Sequence, residues 1–259
     1  MINYIKSEMY RNLRNKSNYM FLGGCMVLIV FLNLVLHMIL KNDPNFIYAT
    51  TKFSFSSLYT SMTLPLILCV PLTSTVFGQE LKNHTLKNTI SYGIPRWQIY
   101  FGKFIMVLII ALINLVVVSG THIACGYLLL QNSGDLYLNE LIRALIACIP
   151  LFLVAVSAAH CLYFIFDNEN TAIVYWAIIM VVIPTILSML GRRVEILNKI
   201  ASFTPWIMMR DIRESEGVHN LIMYWCSQEG FINCFIVGLI GTIIFLIIGM
   251  KKFEKIEIK

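Results

Sequence analysis

The side chains best suited to chemistry in this chain are five histidines and seven cysteines. His37, His84, His122, His160 and His219 form neither an H-x-x-x-H nor an H-E-x-x-H pattern, so no helical face offers two imidazoles to a metal ion. Cys25, Cys69, Cys125, Cys148, Cys161, Cys226 and Cys234 include no C-x-x-C pair, which argues against a disulfide framework. They read as small packing residues, interchangeable with Ala or Ser. Two Cys–His neighbours suggest a nucleophile with its base. His160 and Cys161 are adjacent, however, and adjacent helical residues point about 100° apart. His122 and Cys125, at i and i+3, share a face, but no carboxylate in the same stretch orients the base. The phosphate-cradling pattern G-x-x-x-x-G-K-[ST] is absent as well. The expectation is no catalytic residue, no metal ligand and no cofactor held by this chain. His122 and His160 stay as candidates for lining a polar conduit, or for bonding a neighbouring helix.

The elements that position these groups follow from composition. The chain has 259 residues, 58% hydrophobic and 13% charged, with a mean hydropathy of +0.74. A soluble domain carries roughly 25% charged residues, so the deficit predicts an integral membrane protein. Six apolar stretches approach the roughly 20 residues that cross a bilayer as helix, at 19–40, 58–77, 104–130, 141–166, 172–190 and 231–250. Helices satisfy their own backbone groups in hydrocarbon, and the alternation of a β-barrel is missing. The predicted fold is an all-α membrane bundle of six helices in one domain, residues 1–259. The first span is too long for a cleaved signal and lacks a small-residue cleavage site.

Basic residues set the orientation. Lys6, Arg11, Arg14 and Lys16 precede the first span, and only Lys41 follows it closely. Lys82, Lys87, Arg96 and Lys103 fall on the same side, as do Lys251, Lys252, Lys255 and Lys259 in the tail, 251–259. Both termini are therefore expected inside. The net charge of +6 is explained by anionic headgroups near these residues, without nucleic acid.

Residues 1–18 place Ile2, Ile5, Met9 and Leu13 at helical spacing, with Lys6, Arg11 and Arg14 on other faces. That pattern predicts an amphipathic helix lying in the inner interface; a plain charged anchor for the first span fits it equally. Asp43-Pro44 marks a turn in the first outer loop. Residues 191–230 are too polar to span and too apolar to be disordered. They predict one or two short amphipathic or partly re-entrant helices outside, broken near Pro205 and Gly217.

The stretch "ELKNHTLKNTISYGIPRWQIYFGK", Glu80 to Lys103, interrupts the apolar sequence. Leu86 and Ile90 lie at i and i+4 on one face, while Lys82, Asn83, Lys87 and Asn88 take the other sides. Gly93 suits a left-handed cap, and Pro95 suits the first turn of the next helix. Trp97 and Tyr100 fit the headgroup region, with Arg96 and Lys103 holding the inner side. A short interfacial helix, a glycine break and a proline start are the expectation for 78–103. Its small apolar face fits a groove on a soluble partner, the membrane surface, or a mere connection between spans.

This stretch resembles the cytosolic loop of permease subunits of ABC transporters of the type-2 exporter class. The resemblance rests on Glu80, Thr85, Leu86, Lys87, Ser91, Pro95, Arg96, Ile99, Tyr100, Gly102 and Lys103, most specifically on "SYGIPRWQIYFGK". His84 departs from the pattern, standing where the family often has glycine. The resemblance implies that the loop carries a coupling helix between the second and third spans. Its ATPase-docking residues would be Glu80, Lys82, Asn83, His84, Thr85, Leu86, Lys87, Asn88, Ile90 and Ser91. Gly93, Pro95, Arg96, Trp97, Tyr100, Gly102 and Lys103 would form the entry to the third span. It also implies six spans, an N-terminal interfacial helix and outer helices before the last span.

By the same resemblance, two permease chains pair, as a homodimer or heterodimer, above two separate ATPase subunits that bind ATP and Mg²⁺. The small bacterial permeases it most resembles export, or confer immunity to, antimicrobial peptides such as lantibiotics and bacitracin-type compounds. The plasma membrane is the expected location. A non-transporting immunity or receptor scaffold and an intramembrane peptidase using Cys125 and His122 are the alternatives from other classes.

Overall fold

The computed structural model describes residues 1–43, 46–83, 86–166, 168–214 and 221–255, with the backbone alone at 78–83, 86–88, 213–214 and 221. Its helices are α1 (Ile2–Leu13), α2 (Lys16–Asn42), α3 (Thr51–Thr60), α4 (Thr63–Asn83), α5 (Leu86–Ser91), α6 (Arg96–Leu129), α7 (Leu136–Ile165), α8 (Glu169–Ala177), α9 (Ile183–Gly191), α10 (Glu195–Ser202), α11 (Pro205–Met208) and α12 (Gln228–Lys255). Among the described residues five helices are long and apolar enough to cross a membrane: α2, α6, α7, the continuous α8–α9 and α12. The bent pair α3–α4 makes a sixth when counted as one span. The fold is an all-α, multi-pass membrane bundle, as its hydropathy predicts.

α7 is the central helix, with 67% of its most apolar window buried. Its alanines Ala144, Ala147, Ala155, Ala158 and Ala159 are all buried, and small side chains let backbones approach where lipid supplies no hydrophobic drive. α12 lies against it through glycines. A Cβ on Gly238 would sit 2.7 Å from the Pro150 backbone, and one on Gly241 would sit 2.9 Å from the Val154 side chain. α2 is peripheral, with 6% of its window buried, and leans on α6.

Three details depart from the sequence expectation. The second span is broken: α3 and α4 meet at 65° around Ser61 and Met62. The Cys148 thiol on α7 lies 3.8 Å from the Met62 carbonyl, in keeping with the rule that a broken membrane helix persists where neighbours satisfy its freed backbone groups. α8 passes into α9 through a π turn, Ile178–Val182. Pro184 follows at once; lacking an N–H, it leaves the Met180 carbonyl without its helical donor, and the wider turn relieves the ring clash. Finally, 191–230 is not helical throughout. α10 folds back on α9, and Pro205 opens α11 at the expected break. Strands β1 (Ile212–Glu214) and β2 (Leu221–Met223) then pair antiparallel, Ile212 opposite Met223. This pairing satisfies backbone groups that two helix ends would leave orphaned. Residue 217, the second expected break, lies outside the described residues. A 3₁₀ turn, Tyr224–Cys226, follows and sinks Trp225 fully into the core.

Candidate functional site

The α4–α5–α6 connection differs in detail from the single helix expected from Glu80 to Ser91. α4 runs on through Glu80 and Lys82 to Asn83, and α5 is a separate helix, Leu86–Ser91. His84 and Thr85 lie outside the described residues, and the side chains of Glu80, Lys82, Asn83, Leu86, Lys87 and Asn88 lie outside the described side chains. Ile90 is half-buried and packs against the bundle core, while Ser91 and Tyr92 are exposed. The punctuation falls where the sequence puts it. Gly93 closes α5 with φ +79°, its N–H donating to the Ile90 carbonyl at 2.9 Å. Pro95 is the cap from which α6 starts.

Beyond that break the entry to α6 is bolted to three other elements. Lys103, expected at the headgroups, is completely buried. Its Nζ lies 3.3 Å from the Glu8 carboxylate of α1 and 5.4 Å from the centre of the Phe77 ring of α4. The same carboxylate is 2.5 Å from Arg11, which also donates to the Val76 carbonyl at 3.4 Å. Asn15 Nδ2 donates to the Thr75 carbonyl at 2.6 Å. α1 therefore turns its polar face, Glu8 and Asn12, into the protein, and leaves Ile2, Met9 and Leu13 exposed. That exposed stripe is the face an interfacial helix buries in lipid. Gly102 makes the docking possible: a Cβ there would meet the Tyr4 ring at 2.6 Å. Burial, with the Glu8 carboxylate second, pushes the Tyr4 phenol above its ordinary range, so it stays neutral.

Arg96 ties α6 to the end of α12, donating to the carbonyls of Phe253 at 2.6 Å and Glu254 at 2.8 Å. Trp97 is 46% exposed, as a headgroup-level ring should be. Tyr100 is instead fully buried, its ring 4.6 Å from that of His160. His160 donates from Nε2 to the Tyr100 carbonyl at 3.1 Å and sits among Phe77, Tyr100, Phe104 and Phe164. It is fully buried among these rings. Ser74 of α4 donates to Glu169 at the start of α8.

His122 has a different setting. Its Nε2 donates to the Ser54 carbonyl at 3.2 Å, and Ser54 Oγ bonds Asn33 at 3.3 Å. It borders a cavity of about 390 Å³ between α2, α3, α4 and α6. The Cys25 side chain opens on the same cavity, whereas Cys125 is not among its lining residues. Among the described residues no group of His, Cys, Asp or Glu could hold a metal ion.

Sequence reading overlooked Glu8, Asn12, Asn15, Asn33, Ser54 and Asn114. One signal was available for Glu8: it is the only acidic residue before Asp43, and a lone acid among bases is worth pairing with a cation at the bilayer edge.

No curated protein matches the chain. Residues 4–186 match the family described as ABC-2 family transporter protein, a stretch reaching from Tyr4 in α1 into α9 and including both Glu8 and Lys103. Members of this family are membrane transport components that work with ABC ATPase subunits and are not themselves catalytic. The chain thus belongs to the ABC-2 transporter family, as a membrane-spanning permease component.

Proposed function

We propose that this permease couples to its ATPase through residues 78–103 and drives export of amphipathic or antimicrobial peptides, or similarly hydrophobic cargo, from a bacterial plasma membrane. α5 and its flanks, from Glu80 to Ser91, dock in a groove of an ATPase that carries the ATP and Mg²⁺. Both termini face the cytoplasm, and two permease chains complete the transporter. The observation that supports this reading is the way the segment is mounted. α5 ends at a single Gly93–Pro95 break, and the helix beyond is fixed to α1 by Lys103 and to α12 by Arg96. Movement imposed on α5 would therefore reach several spans together.

The test is co-purification of the chain with a co-expressed candidate ATPase, wild type against Leu86→Asp. Ile90 is unsuitable for the same substitution because it packs on the core. Capture of the ATPase by wild type, lost in a variant with an unchanged melting temperature, supports docking at α5. Equal capture by both proteins refutes it.

A further inference from the structure

We propose that the elbow between α1 and α2 binds the phosphate of an anionic phospholipid, with Arg14 and Lys16 as its cations. The elbow frames a concave space of about 510 Å³ lined by Tyr10, Arg11, Arg14, Asn15, Lys16 and Ser17. That volume lies within the range of small-molecule sites, about 300–1,000 Å³. Side chains fix the shape of the turn. Asn15 accepts at Oδ1 from the Ser17 N–H at 3.0 Å and donates from Nδ2 to the Thr75 carbonyl. Asn18 Nδ2 donates to the Asn12 carbonyl at 3.0 Å, and the Tyr19 hydroxyl donates to the Leu13 carbonyl at 2.8 Å. Arg14 is positioned as well, its guanidinium 4.1 Å from the centre of the Tyr10 ring, one turn back on α1.

Charge indicates what this space takes. Glu8 is the only acidic residue before Asp43, and it already meets Arg11 and Lys103. Arg14 and Lys16 meet no carboxylate among the described residues, and both are exposed. Two cations on one concave surface repel each other, and an anion between them reverses the sign of that interaction. Depth indicates where the anion comes from. Ile2, Met9 and Leu13 on α1 are exposed, as are Tyr19 and Met20 at the start of α2, so lipid-facing surface reaches the elbow from both sides. Basic side chains set between two such surfaces lie at headgroup level, where the anions at hand are lipid phosphates. The phosphate of phosphatidylcholine carries its own cation, whereas that of phosphatidylglycerol leaves its charge to the protein. A merely diffuse attraction would act equally on Lys6, which is exposed on α1 but does not line the space. This inference does not depend on how the ATPase docks.

Lys16 and Lys6 therefore serve as probe and control in one protein. The purified chain is placed in bilayer nanodiscs, open on both faces, made of phosphatidylcholine alone or with rising fractions of phosphatidylglycerol. Acetylation of each lysine by sulfosuccinimidyl acetate is followed by peptide mass. Phosphatidylglycerol should slow Lys16 about fivefold more than Lys6, the factor that one charge contact at an anionic surface supplies, and the effect should saturate. Arg14→Gln, at an exposed position, should remove most of that difference. Equal slowing of Lys6 and Lys16 in the wild type is diffuse attraction alone and overturns the proposal without recourse to any variant. So does the absence of slowing, or a difference that Arg14→Gln leaves intact. Inorganic phosphate added to phosphatidylcholine discs is the remaining arm: protection of Lys16 there equal to that by phosphatidylglycerol makes the ligand a free anion and overturns the assignment to lipid.

Discussion

Glu8 and Lys103 form one contact, but their loss should not cost the same. Glu8 has two cations, Arg11 at 2.5 Å and Lys103 at 3.3 Å. Lys103→Met keeps an apolar stem beside Phe77 and leaves the carboxylate paired with Arg11, whose side chain is 38% exposed and in reach of water. The expected loss is about 1 kcal/mol, near that of a single hydrogen bond. Glu8→Gln instead takes a carboxylate from an ammonium with no exposure at all, leaving it to its remaining contacts. The expected loss is larger, about 2–3 kcal/mol, the scale of a hydrogen bond to a buried charged group. The double variant replaces a charge pair with an amide beside a thioether, so it should be milder than the sum of the two by at least about 1.5 kcal/mol, well outside the additivity expected of independent sites. Thermal unfolding of the four proteins in one detergent measures the cycle. If Glu8→Gln is no worse than Lys103→Met, or the two losses add within about 0.5 kcal/mol, the buried pair does not hold α1 to α6 as argued.

Gly102→Ala should lift α1 from α6, because its Cβ would overlap the Tyr4 ring; faster proteolysis within residues 1–15, with the rest of the chain unchanged, is the expected readout. Arg96→Gln should loosen the end of α12 from α6 by removing a forked donor to two carbonyls, and Arg96→Lys, a single point donor, should restore only part of it; hydrogen exchange at residues 250–255 distinguishes the three. Gly238→Ala should destabilise by about 1–3 kcal/mol through overpacking against the Pro150 backbone, whereas Gly24→Ala, with open space around it, should be neutral or gain up to about 1 kcal/mol of helix propensity. Equal melting temperatures for these two glycine variants would contradict the close α7–α12 contact.

What the sequence makes legible here is set by hydropathy and by backbone chemistry. Apolar runs near bilayer length reveal the spans because hydrocarbon forbids any other open-ended backbone arrangement. Gly93 and Pro95 announce the break before α6 because few other residues suit a left-handed cap or a first helical turn. Partnership between distant side chains leaves no such mark. Lys103 reads as an interfacial anchor because basic residues at span ends usually are, and nothing near it in sequence reveals that Glu8 waits on another helix. The amphipathic pattern of α1 is plain, yet periodicity fixes only that two faces differ. Here the polar face meets protein and the apolar one points away. The break in the second span is hidden for a related reason. Ser61 and Thr63 are ordinary membrane-helix residues, and the bend relies on neighbours such as Cys148, which lies far along the chain.

Under the coupling proposal, the same side-chain contacts dictate how a push on α5 would spread. α6 has 34 residues, about 51 Å at 1.5 Å per residue, without an internal proline or a described break. Lys103 holds its second turn to α1 and Arg96 holds its first to α12. A displacement arriving through Gly93 would therefore carry α1 and the end of α12 along with α6, since separating them exposes a buried ammonium or frees two carbonyls. The second span answers differently. Its lower half, α4, shares in the α1 contacts through Thr75 and Val76, but the 65° bend at Ser61 and Met62 sets α3 off from it. Motion along α4 would be absorbed at that bend, which is also the wall of the cavity containing Asn114. The helix break and the Asn114 side chain would then belong to one deformable region, and the buried charge pair to the rigid frame around it.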